Sequence, residues 1–449
     1  MKINNITTTL FLLLFGYSFA QKKWDLQECV EYALQNNIAI KQIYLDGELA
    51  HLNLKDAQGN FMPNINGQIS HSWNVGLNTD ITTGILRNQT TQFTAMGVSA
   101  NVDIYKGLQN QNRLQRAKLT QISALYQQTK IAEDISINIV NAYLQILFNK
   151  ENIKIQKQQF IADSLQLERS KLLVESGMIP RGDLFEIKAT IAADKQLIIQ
   201  YEYQLLISKM SLAHLLQLKD FNDFDIVDVA YEFEVNPIFL QSPEDIYRKA
   251  LTERVELKIA QNNIAIAQKD IAISKGAYQP QLSGFYSFSS RVSYAQIPDG
   301  FGGLQDPLPF WEQIDLYKGH NFGLQLNIPI FNGFAVRNNV NKAKTTLEKQ
   351  QLEFEQAQID LERSIYTAFA DAKGALESYI ASEEALKARE EAFRYASERL
   401  NNGMSTAFDY SQSQSLLINA KSEVLRNKYD YLFRTKILEI YFGIPVIPQ

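Results

Sequence analysis

Four segments of the chain alternate apolar and polar residues with the period of two that is typical of a β-strand. The clearest, 322–330, places apolar side chains at its even positions: Phe322, Leu324, Leu326, Ile328 and Ile330. Segment 94–104 alternates in the same way, 65–75 precedes it with two similar faces, and 282–292 is less regular. Strands of about ten residues with one apolar and one polar face are typical of membrane-crossing β-barrels. A half-buried sheet in a soluble sandwich alternates in the same way.

Helical periodicity extends over very long stretches after each pair of predicted strands. Residues 108–175 and 334–402 contain no proline and keep a helical pattern throughout. At 1.5 Å per residue, the first stretch would form a helix of roughly 100 Å, which exceeds a globular core and requires coiled-coil packing. Both stretches end at a glycine turn, at Gly177 and at Gly403. A shorter return helix is predicted after each turn, over 182–217 and 408–442.

The long helices are also rich in amide side chains. Examples are the runs 109–112 and 127–128, which contain only glutamine and asparagine. A coiled coil built only for stability favours strict apolar seams, whereas a hollow helical tube needs polar residues on its wet inner wall. We therefore expect these amides to line a water-filled tube.

An internal duplication relates the two halves of the chain. A shift of 217 positions brings 25–70 onto 242–287, and a shift of 226 positions brings 97–217 onto 323–443, both without gaps. Identical residues meet at many positions, among them Gly59 with Gly276, Pro63 with Pro280, Gly107 with Gly333, Gly177 with Gly403 and Asp183 with Asp409. The two halves therefore share one plan and differ in one loop.

The duplication sets the predicted domain boundaries. A first repeat covers 21–217 and a second covers 242–449, with a linker or equatorial segment over 218–241 between them. Each repeat is predicted to begin with one helix, capped by Asp25 or by Ser242. A β-hairpin, a long helix and a return helix follow in each repeat. The two predicted hairpins are 64–104 and 281–330.

Two kinds of irregular segment complete this plan. The linker carries four aspartates without the glycine or the spacing of a calcium loop, so we predict a solvated linker: Asp220, Asp223, Asp225 and Asp228. Segment 295–320 is rich in glycine, proline and aromatic residues, which predicts a long hairpin loop on the outer side. Its counterpart in the first repeat is a short loop, 76–92.

The first twenty residues have the features of an export signal. Lys2 provides the positive start, an apolar run covers 10–15, and 18–20 end in a small-x-small cleavage site. No later stretch of eighteen apolar residues follows, so the mature chain is expected to have no transmembrane helix. The chain is therefore predicted to be exported and to stay soluble or to insert as a β-barrel.

Four amphipathic strands cannot close a barrel within one chain. An open sheet edge in lipid leaves backbone groups unpaired at a cost of several kcal/mol each, and spanning barrels start at about eight strands. Side chains nearly fill an eight-stranded barrel. A conduit built from this chain therefore requires three or more copies that share one barrel.

Composition and motifs argue against several other function classes. The formal net charge is −5, from 44 basic and 49 acidic residues, so the basic excess that nucleic-acid binding requires is missing. Cys29 is the single cysteine and excludes an internal disulfide. The four histidines are far apart, and the sequence contains no HExxH, Walker or GxSxG motif. We predict no enzyme activity, no catalytic residue, no cofactor and no metal site.

The end of the last predicted strand resembles a motif of a known family. Residues 326–333, with the sequence LNIPIFNG, are similar to the strand-end motif of outer-membrane efflux proteins of the TolC family, and 102–107 resemble a weaker first copy. The duplicated order of elements is also similar over nearly the whole mature chain. The resemblance implies a mainly α fold with a small β portion: a trimer with a twelve-stranded β-barrel and an α-barrel of long helices.

The resemblance also implies a function and partners. It implies an outer-membrane channel that extends into the periplasm and acts as the passive exit duct of a tripartite efflux or type I secretion system. Small toxic molecules or an unfolded protein are the implied cargo. A periplasmic adaptor and an inner-membrane pump are the implied partners, and the two glycine turns form the implied adaptor contact: Gly177, Met178, Ile179, Gly403, Met404 and Ser405.

The same resemblance places an acidic gate just inside these turns. Asp409 occupies the position of one acidic ring, and Asp183 is its counterpart in the first repeat. The position of a second acidic ring holds Gln412, and Leu400 and Ser405 replace the family's tyrosine and arginine gate groups. The residues themselves favour a second interpretation, because an aspartate in the first turn of a helix also interacts favourably with the helix dipole.

A secreted or surface structural coiled-coil protein is the alternative. Such a protein shares the export signal and the long helices, but it has no use for two pairs of barrel-length strands. Recovery from the outer membrane as a heat-modifiable trimer distinguishes the duct from a soluble rod.

Overall fold

The computed structural model describes residues 23–79, 86–219, 223–229, 233–298 and 303–444. The predicted export signal lies outside these ranges. Most of the described residues are helical. Within these ranges, no helix combines the length and the apolar composition that a membrane span requires.

The first repeat and the linker contain short strands, one long hairpin and two pairs of helices. In chain order the elements are β1 (Lys23–Trp24), α1 (Leu26–Asn36), α2 (Ile38–Gly59), β2 (Asn64–Thr79), β3 (Leu86–Lys106), α3 (Gln109–Glu175), α4 (Arg181–Leu215) and β4 (Asp225–Ile226). A 3₁₀ turn, Pro237–Leu240, precedes the second repeat.

The second repeat has the same order with additional elements in its hairpin loop. Its elements are α5 (Pro243–Glu253), α6 (Val255–Gly276), β5 (Gln281–Ser293), β6 (Ile297–Pro298), β7 (Leu304–Gln305), α7 (Phe310–Leu316), β8 (Gly319–Asn327), α8 (Ala335–Asn401) and α9 (Ala407–Tyr441). The predicted loop 295–320 therefore contains a short helix, α7.

The prediction of one opening helix per repeat is wrong, because each is divided in two. Asn37 and Arg254 have extended backbones, with ψ of 135° and 129°, and interrupt the helix at equivalent positions of the duplication. Nδ2 of Asn37 donates to the carbonyl of Leu215 at 2.8 Å, and Nη1 of Arg254 donates to the carbonyl of Ile440 at 3.3 Å. Each break is thus tied to the end of a return helix.

The chain divides into two compact units. The first contains the described residues of Met1–Asp46, Leu125–Ile259 and Phe354–Gln449. Its main core surrounds α3, whose buried residues recur at intervals of three and four: Ile135, Ile139, Tyr143, Ile146 and Leu147. Oη of Tyr143 donates to the carbonyl of Val227 at 3.1 Å, so the single polar atom of this buried ring is satisfied.

The linker is not solvated throughout, which corrects the prediction. Phe224 and Ile226 are buried in the same core. Nζ of Lys150 and Nζ of Lys209 lie 2.8 and 2.9 Å from Oδ1 of Asp225. Burial by itself would raise the pKa of Asp225, but hydrogen bonds from the two lysines lower it below its ordinary value. This part of the linker is therefore packed and ion-paired.

The second unit contains Gly47–Ala124 and Ala260–Glu353, and its strands form an antiparallel sheet in the order β2-β3-β5-β8. On one face of the sheet, a row of residues that lie opposite each other across the four strands is apolar: Ile65, Ala100, Tyr286 and Phe322. A neighbouring row on the other face is polar: Asn66, Ser99, Ser287 and Asn321. The predicted alternation therefore produces one exposed apolar face and one polar face.

Two further expectations fail in this unit. The predicted short loop 76–92 is largely strand, because β2 continues to Thr79 and β3 begins at Leu86. Gln109 and Asn110 are buried, and Nδ2 of Asn110 donates to the carbonyl of Asn60 at 3.1 Å. These two amides therefore stabilise the protomer and do not line a water-filled tube.

Candidate functional site

The first long helix ends in a Schellman-type turn. The N–H of Gly177 donates to the carbonyl of Val174 at 3.0 Å, and the N–H of Met178 donates to the carbonyl of Leu173 at 2.9 Å. The φ of Gly177 is +73°. A Cβ at this glycine would meet no atom within 4 Å. The backbone angle, and not a lack of space, therefore requires glycine here.

The second long helix ends in the same way. Gly403 has a φ of +70°, and its N–H donates to the carbonyl of Leu400 at 3.1 Å. The N–H of Met404 donates to the carbonyl of Arg399 at 2.8 Å. The duplication is thus preserved in the hydrogen bonds of both turns.

Each turn presents one exposed methionine. Met178 and Met404 are 72% and 69% exposed. Ile179 and Ser405, which follow them, are half-buried. Methionine is flexible and polarisable, so it adapts to an apolar partner surface at little cost. The two turns therefore offer a pair of equivalent apolar contacts.

Asp409 forms a capping box at the start of α9. Its Oδ2 accepts hydrogen bonds from the N–H of Thr406 at 3.3 Å, from Oγ1 of Thr406 at 2.9 Å and from Oγ of Ser405 at 3.2 Å. The hydrogen bonds from Thr406, with a smaller contribution from Ser405, lower the pKa of Asp409. Within the protomer, the contacts of Asp409 are therefore those of a residue that stabilises the start of a helix.

Asp183 and Gln412 have different surroundings. Asp183 lies in the first turn of α4, whose cap residue Pro180 makes no side-chain hydrogen bond. Gln412 is exposed in the next turn of α9 after Asp409. Within the part of the chain that the structure describes, no hydrogen bond links Asp409 to Asp183 or Gln412. The structure therefore places the three predicted gate residues at two separate helix starts.

Sequence reasoning missed a buried polar cluster that joins three helices of the first compact unit. It contains Asp163 of α3, Asp194 of α4 and Gln414 of α9, all of them at most 4% exposed. Nε2 of Gln414 donates to Oδ1 of Asp163, and Nε2 of Gln159 donates to its Oδ2 at 3.0 Å. The signal in the sequence was weak, because each residue stands alone within a long helical pattern.

The two carboxyl groups of this cluster are buried close to each other, so their negative charges repel and favour protonation of Asp194. Burial raises the pKa of Asp194 to about 7, and the neighbouring carboxyl group of Asp163 acts in the same direction. Burial, together with the Asp163 charge, also raises the pKa of Tyr410 to about 12. The cluster therefore exchanges a proton near neutral pH.

A direct contact also joins the two return helices. Oγ1 of Thr190 and Oγ of Ser411 lie 2.8 Å apart and link α4 to α9. Together with the Gln414–Asp163 bond, this contact holds α9 against α3 and α4. Any movement that separates α9 from α4 must break the contact between Thr190 and Ser411.

The model of one protein family matches both repeats of this chain. Its description is outer membrane efflux protein, and the matched residues are 29–217 and 246–439. The match thus covers most of the chain in two segments.

Individual relatives are distant. The outer membrane efflux protein BepC of Brucella suis biovar 1 (strain 1330) is 28% identical over 170 residues, which are 37% of this chain and 33% of that protein. The alkaline protease secretion protein AprF of Pseudomonas aeruginosa is 19% identical over 326 residues, which are 70% of this chain and 62% of that protein. The chain thus aligns with less than two thirds of either relative.

Solved structures share the fold over almost the whole chain. The CmeC outer membrane channel of Campylobacter jejuni superimposes with a TM-score of 0.79 at 17% identity, covering 94% of this chain and 87% of that one. This likeness establishes the fold of the protomer.

Proposed function

The chain belongs to the outer membrane efflux protein family, and from this premise we propose that three copies form one passive exit duct across the outer membrane. In this assembly the four-stranded sheets of three protomers close a twelve-stranded barrel, and the long helices form a tube in the periplasm. The duct carries its cargo without chemical change.

The open edges of the sheet carry this proposal. β2 and β8 lie at the two edges, and the apolar face between them is exposed, with Ile69 and Phe322 at 75% and 77%. Unpaired backbone groups are very costly in lipid. Pairing with further copies satisfies both edges and turns the apolar face towards the acyl chains.

The polar face of the sheet supports small molecules as the cargo. In the closed assembly this face lines the channel, and its side chains are mostly neutral amides and hydroxyls: Asn64, Asn66, Gln68, Ser70, Ser99, Asn101, Ser287, Ser289, Asn321 and Gln325. Two residues of opposite charge, Asp103 and Arg291, also lie on this face at different levels, so the wall is mainly neutral and selects weakly among ions. Uncharged and amphiphilic compounds therefore pass. Secretion of a protein, as in the name of AprF, is the competing cargo.

The glycine turns supply the proposed contact with a periplasmic adaptor. Met178 and Met404 present exposed apolar side chains there, and the duplication gives three copies six equivalent turns. The adaptor would connect the duct to an inner-membrane pump, which supplies the energy for transport. Gate control is proposed for the helix starts at Asp183 and Asp409 and for Gln412.

Detergent extraction of outer membranes, followed by native mass spectrometry, tests the assembly. We expect a mass of three chains that runs as one band without heating and as a monomer after boiling. A monomer that stays dissolved without detergent contradicts the proposal and supports a secreted structural protein. For the cargo, deletion of the gene should sensitise cells to amphiphilic toxic compounds, whereas loss of a secreted protein alone would favour secretion.

A further inference from the structure

The two repeats of the chain are joined by strand pairing at one junction but not at the equivalent one. Under the duplication, β5 is the counterpart of β2, and β8 is the counterpart of β3. Within the chain β3 pairs with β5, which joins the first repeat to the second. The equivalent junction, from the second repeat to a first repeat, is open, because β8 and β2 lie at opposite edges.

The duplication holds residue by residue in the hairpin registers. In the first hairpin, Asn66 lies opposite Ser99. The two shifts of the duplication carry this pair to Ser283 and Gln325, which lie opposite each other in the second hairpin. The register of a strand pair in one repeat therefore predicts the register of the equivalent strand pair in the other.

Two glycines mark the junction that is formed. Gly107 and Gly276 approach so closely that a Cβ on either would overlap the carbonyl oxygen of the other. Their counterparts, Gly333 and Gly59, have no atom within 4 Å of an added Cβ. Gly333 and Gly59 therefore leave room for the same close backbone contact with another copy of the chain.

A second residue pair shows the same asymmetry. Oη of Tyr105 donates to Oε1 of Gln279 across the formed junction. The counterparts are Phe331 and Met62, both large apolar residues that are exposed in the protomer. An exposed apolar pair in place of a hydrogen-bonded pair indicates a contact that is completed by another chain.

We propose that β8 pairs with β2 of a second copy in the register that β3 adopts with β5, an inference that rests on the proposed assembly. Ser99 lies opposite Ser287 within the chain. The duplication then places Gln325 opposite Ser70 of the partner subunit. It also brings Gly333 against Gly59 of the partner subunit.

The faces of the two strands agree with this register. Gln325 and Ser70 of the partner subunit both belong to polar faces, and the next pair, Leu326 and Ile69 of the partner subunit, belongs to apolar faces. A slip by one residue would place apolar side chains on the polar face along the whole strand.

Disulfide trapping tests the register. In a Cys29→Ala background, the pair Ser70→Cys with Gln325→Cys should give covalently linked chains on oxidation, because opposed Cβ atoms lie about 5 Å apart. The pair Asn66→Cys with Gln325→Cys is the matched control on the same face, roughly 13 Å out of register. A native trimer that fails to link through the first pair, or links through the control, overturns the register. A monomer overturns the proposed assembly itself.

A separate observation concerns α7 in the second hairpin loop. Nε2 of the buried Gln313 donates to the carbonyls of Ser293 at 3.0 Å and Leu308 at 2.6 Å, and its Oε1 accepts from the N–H of Ser293 at 2.9 Å. Oγ of Ser290 donates to the carbonyl of Ile314 at 2.9 Å. These bonds fix α7 against β5.

The strand register tells which face of the sheet α7 covers. Ser290 lies opposite Met96, which lies opposite Ile69. The buried residues beneath α7 therefore belong to the apolar face, near the hairpin end. A membrane band about 25 Å tall spans roughly five rows of side chains on tilted strands. Counted from Leu326, the fifth row contains Ser290.

The exposed side of α7 is amphipathic. Trp311 is 77% exposed and Leu316 is 61% exposed, and Glu312 and Asp315 lie beside them. The next row on the sheet contains the buried Val292 and two polar residues, Thr94 and His71, and Oγ1 of Thr94 is hydrogen-bonded to His71 and to Tyr294. Polar residues thus interrupt the apolar face at the level of α7, as at a lipid headgroup boundary. On β2 this face continues beyond that row with three exposed apolar residues: Trp73, Val75 and Leu77.

We infer that α7 lies in the interface between acyl chains and headgroups of the outer leaflet, with Trp311 as its anchor. A tryptophan ring at this depth buries its apolar surface and keeps its N–H near polar groups. Glu312 and Asp315 then face the headgroups and water. The lipid surface is continuous with the apolar face of the sheet.

Quenching of tryptophan fluorescence by brominated lipids tests this placement. The chain has three tryptophans, so Trp24→Phe with Trp73→Phe leaves Trp311 as the reporter, and Trp24→Phe with Trp311→Phe leaves Trp73. In phosphatidylcholine vesicles, bromine near the headgroup should quench Trp311 more than bromine near the chain end. Quenching of Trp73 without quenching of Trp311 overturns the inference for α7. Quenching of neither overturns the membrane placement of the sheet.

Discussion

The carboxyl groups of Asp163 and Asp194 lie close together inside the first unit, where both side chains are buried. The pair joins α3 to α4, and Gln414 extends it to α9. Burial and the negative charge of Asp163 both disfavour ionised Asp194, so Asp194 keeps its proton to an unusually high pH. The packing of the two return helices therefore depends on a group that titrates near neutral pH.

This pair predicts a falling stability as the pH rises. The pKa of Asp194 is about 7, against an ordinary value of 3.8. Between these values the folded chain binds more protons than the unfolded chain, so its stability decreases from about pH 4 to pH 7 and stays low above. Asp194→Asn removes the titrating proton and should raise Tm at pH 8 while changing Tm little at pH 4.5. Thermal unfolding at both pH values measures this.

Asp183→Asn is the matched control for this variant. Asp183 lies at the start of the same helix but outside the buried cluster. We expect small Tm changes at both pH values for this control. An equal Tm shift at pH 4.5 and pH 8 for Asp194→Asn would contradict the raised pKa of Asp194.

Two variants of Asp409 separate its charge from its role in the helix start. Asp409→Ala removes both the negative charge and the acceptor for Thr406, so the capping box is lost and the start of α9 should be less stable. Asp409→Asn removes only the charge. If three copies form an anionic ring, both variants should raise conductance and reduce cation preference in planar bilayers. Only Asp409→Ala should lower Tm.

The outcome decides the role of this residue. Unchanged conductance and reversal potential in both variants would remove Asp409 from the gate and leave it as a helix cap. Gln412→Ala is the comparison at the neighbouring proposed gate position; because it removes no charge, it should leave the reversal potential unchanged.

The glycine turns predict a stability cost that depends on backbone angle. Gly403 has a φ of +70°, so Gly403→Ala should destabilise the chain by roughly 1–2 kcal/mol. Gly374 lies within α8 and has open space around it, so Gly374→Ala should stabilise the chain by about 0.5–1 kcal/mol. Chemical denaturation of both variants checks the opposite signs. A loss of stability at both sites would mean that the positive φ of Gly403 does not explain the difference between the two variants.

Features with a local signal could be predicted from the sequence. The alternation of Phe322, Leu324 and Leu326 produces the sheet faces directly, because side chains of a strand alternate sides. The turns at Gly177 and Gly403 were likewise marked by glycine, which tolerates positive φ.

Features that depend on distant contacts could not be predicted. Asn37 and Arg254 interrupt helices without glycine or proline, because their side chains bond carbonyls that lie far along the chain. Asp163 and Asp194 stand in different helices and meet only when α3 and α4 pack. Gln109 looked like a wall residue, but its burial follows from the approach of Gly107 to Gly276 next to it.

Gly59 allows the junction between copies to be tested without disturbing the protomer. A Cβ at Gly59 meets nothing within 4 Å in the chain, so Gly59→Val should leave protomer folding intact. Its counterpart Gly276 lies against the backbone of Gly107, where a larger residue would overlap. If the open junction forms the same contact, Gly59→Val should reduce the trimer fraction at least tenfold, since an overlap of backbone and side chain costs more than the ~1.4 kcal/mol that this factor represents.

Gly67→Val is the matched control for this last variant. Gly67 also has open space around an added Cβ, but it lies on the apolar face of β2, where a valine side chain points towards lipid. This control should keep its trimer and its heat-modifiable band. Mass photometry in detergent distinguishes the two variants. A Gly59→Val protein that remains trimeric at wild-type heat stability would show that this glycine does not lie at a close backbone contact between copies.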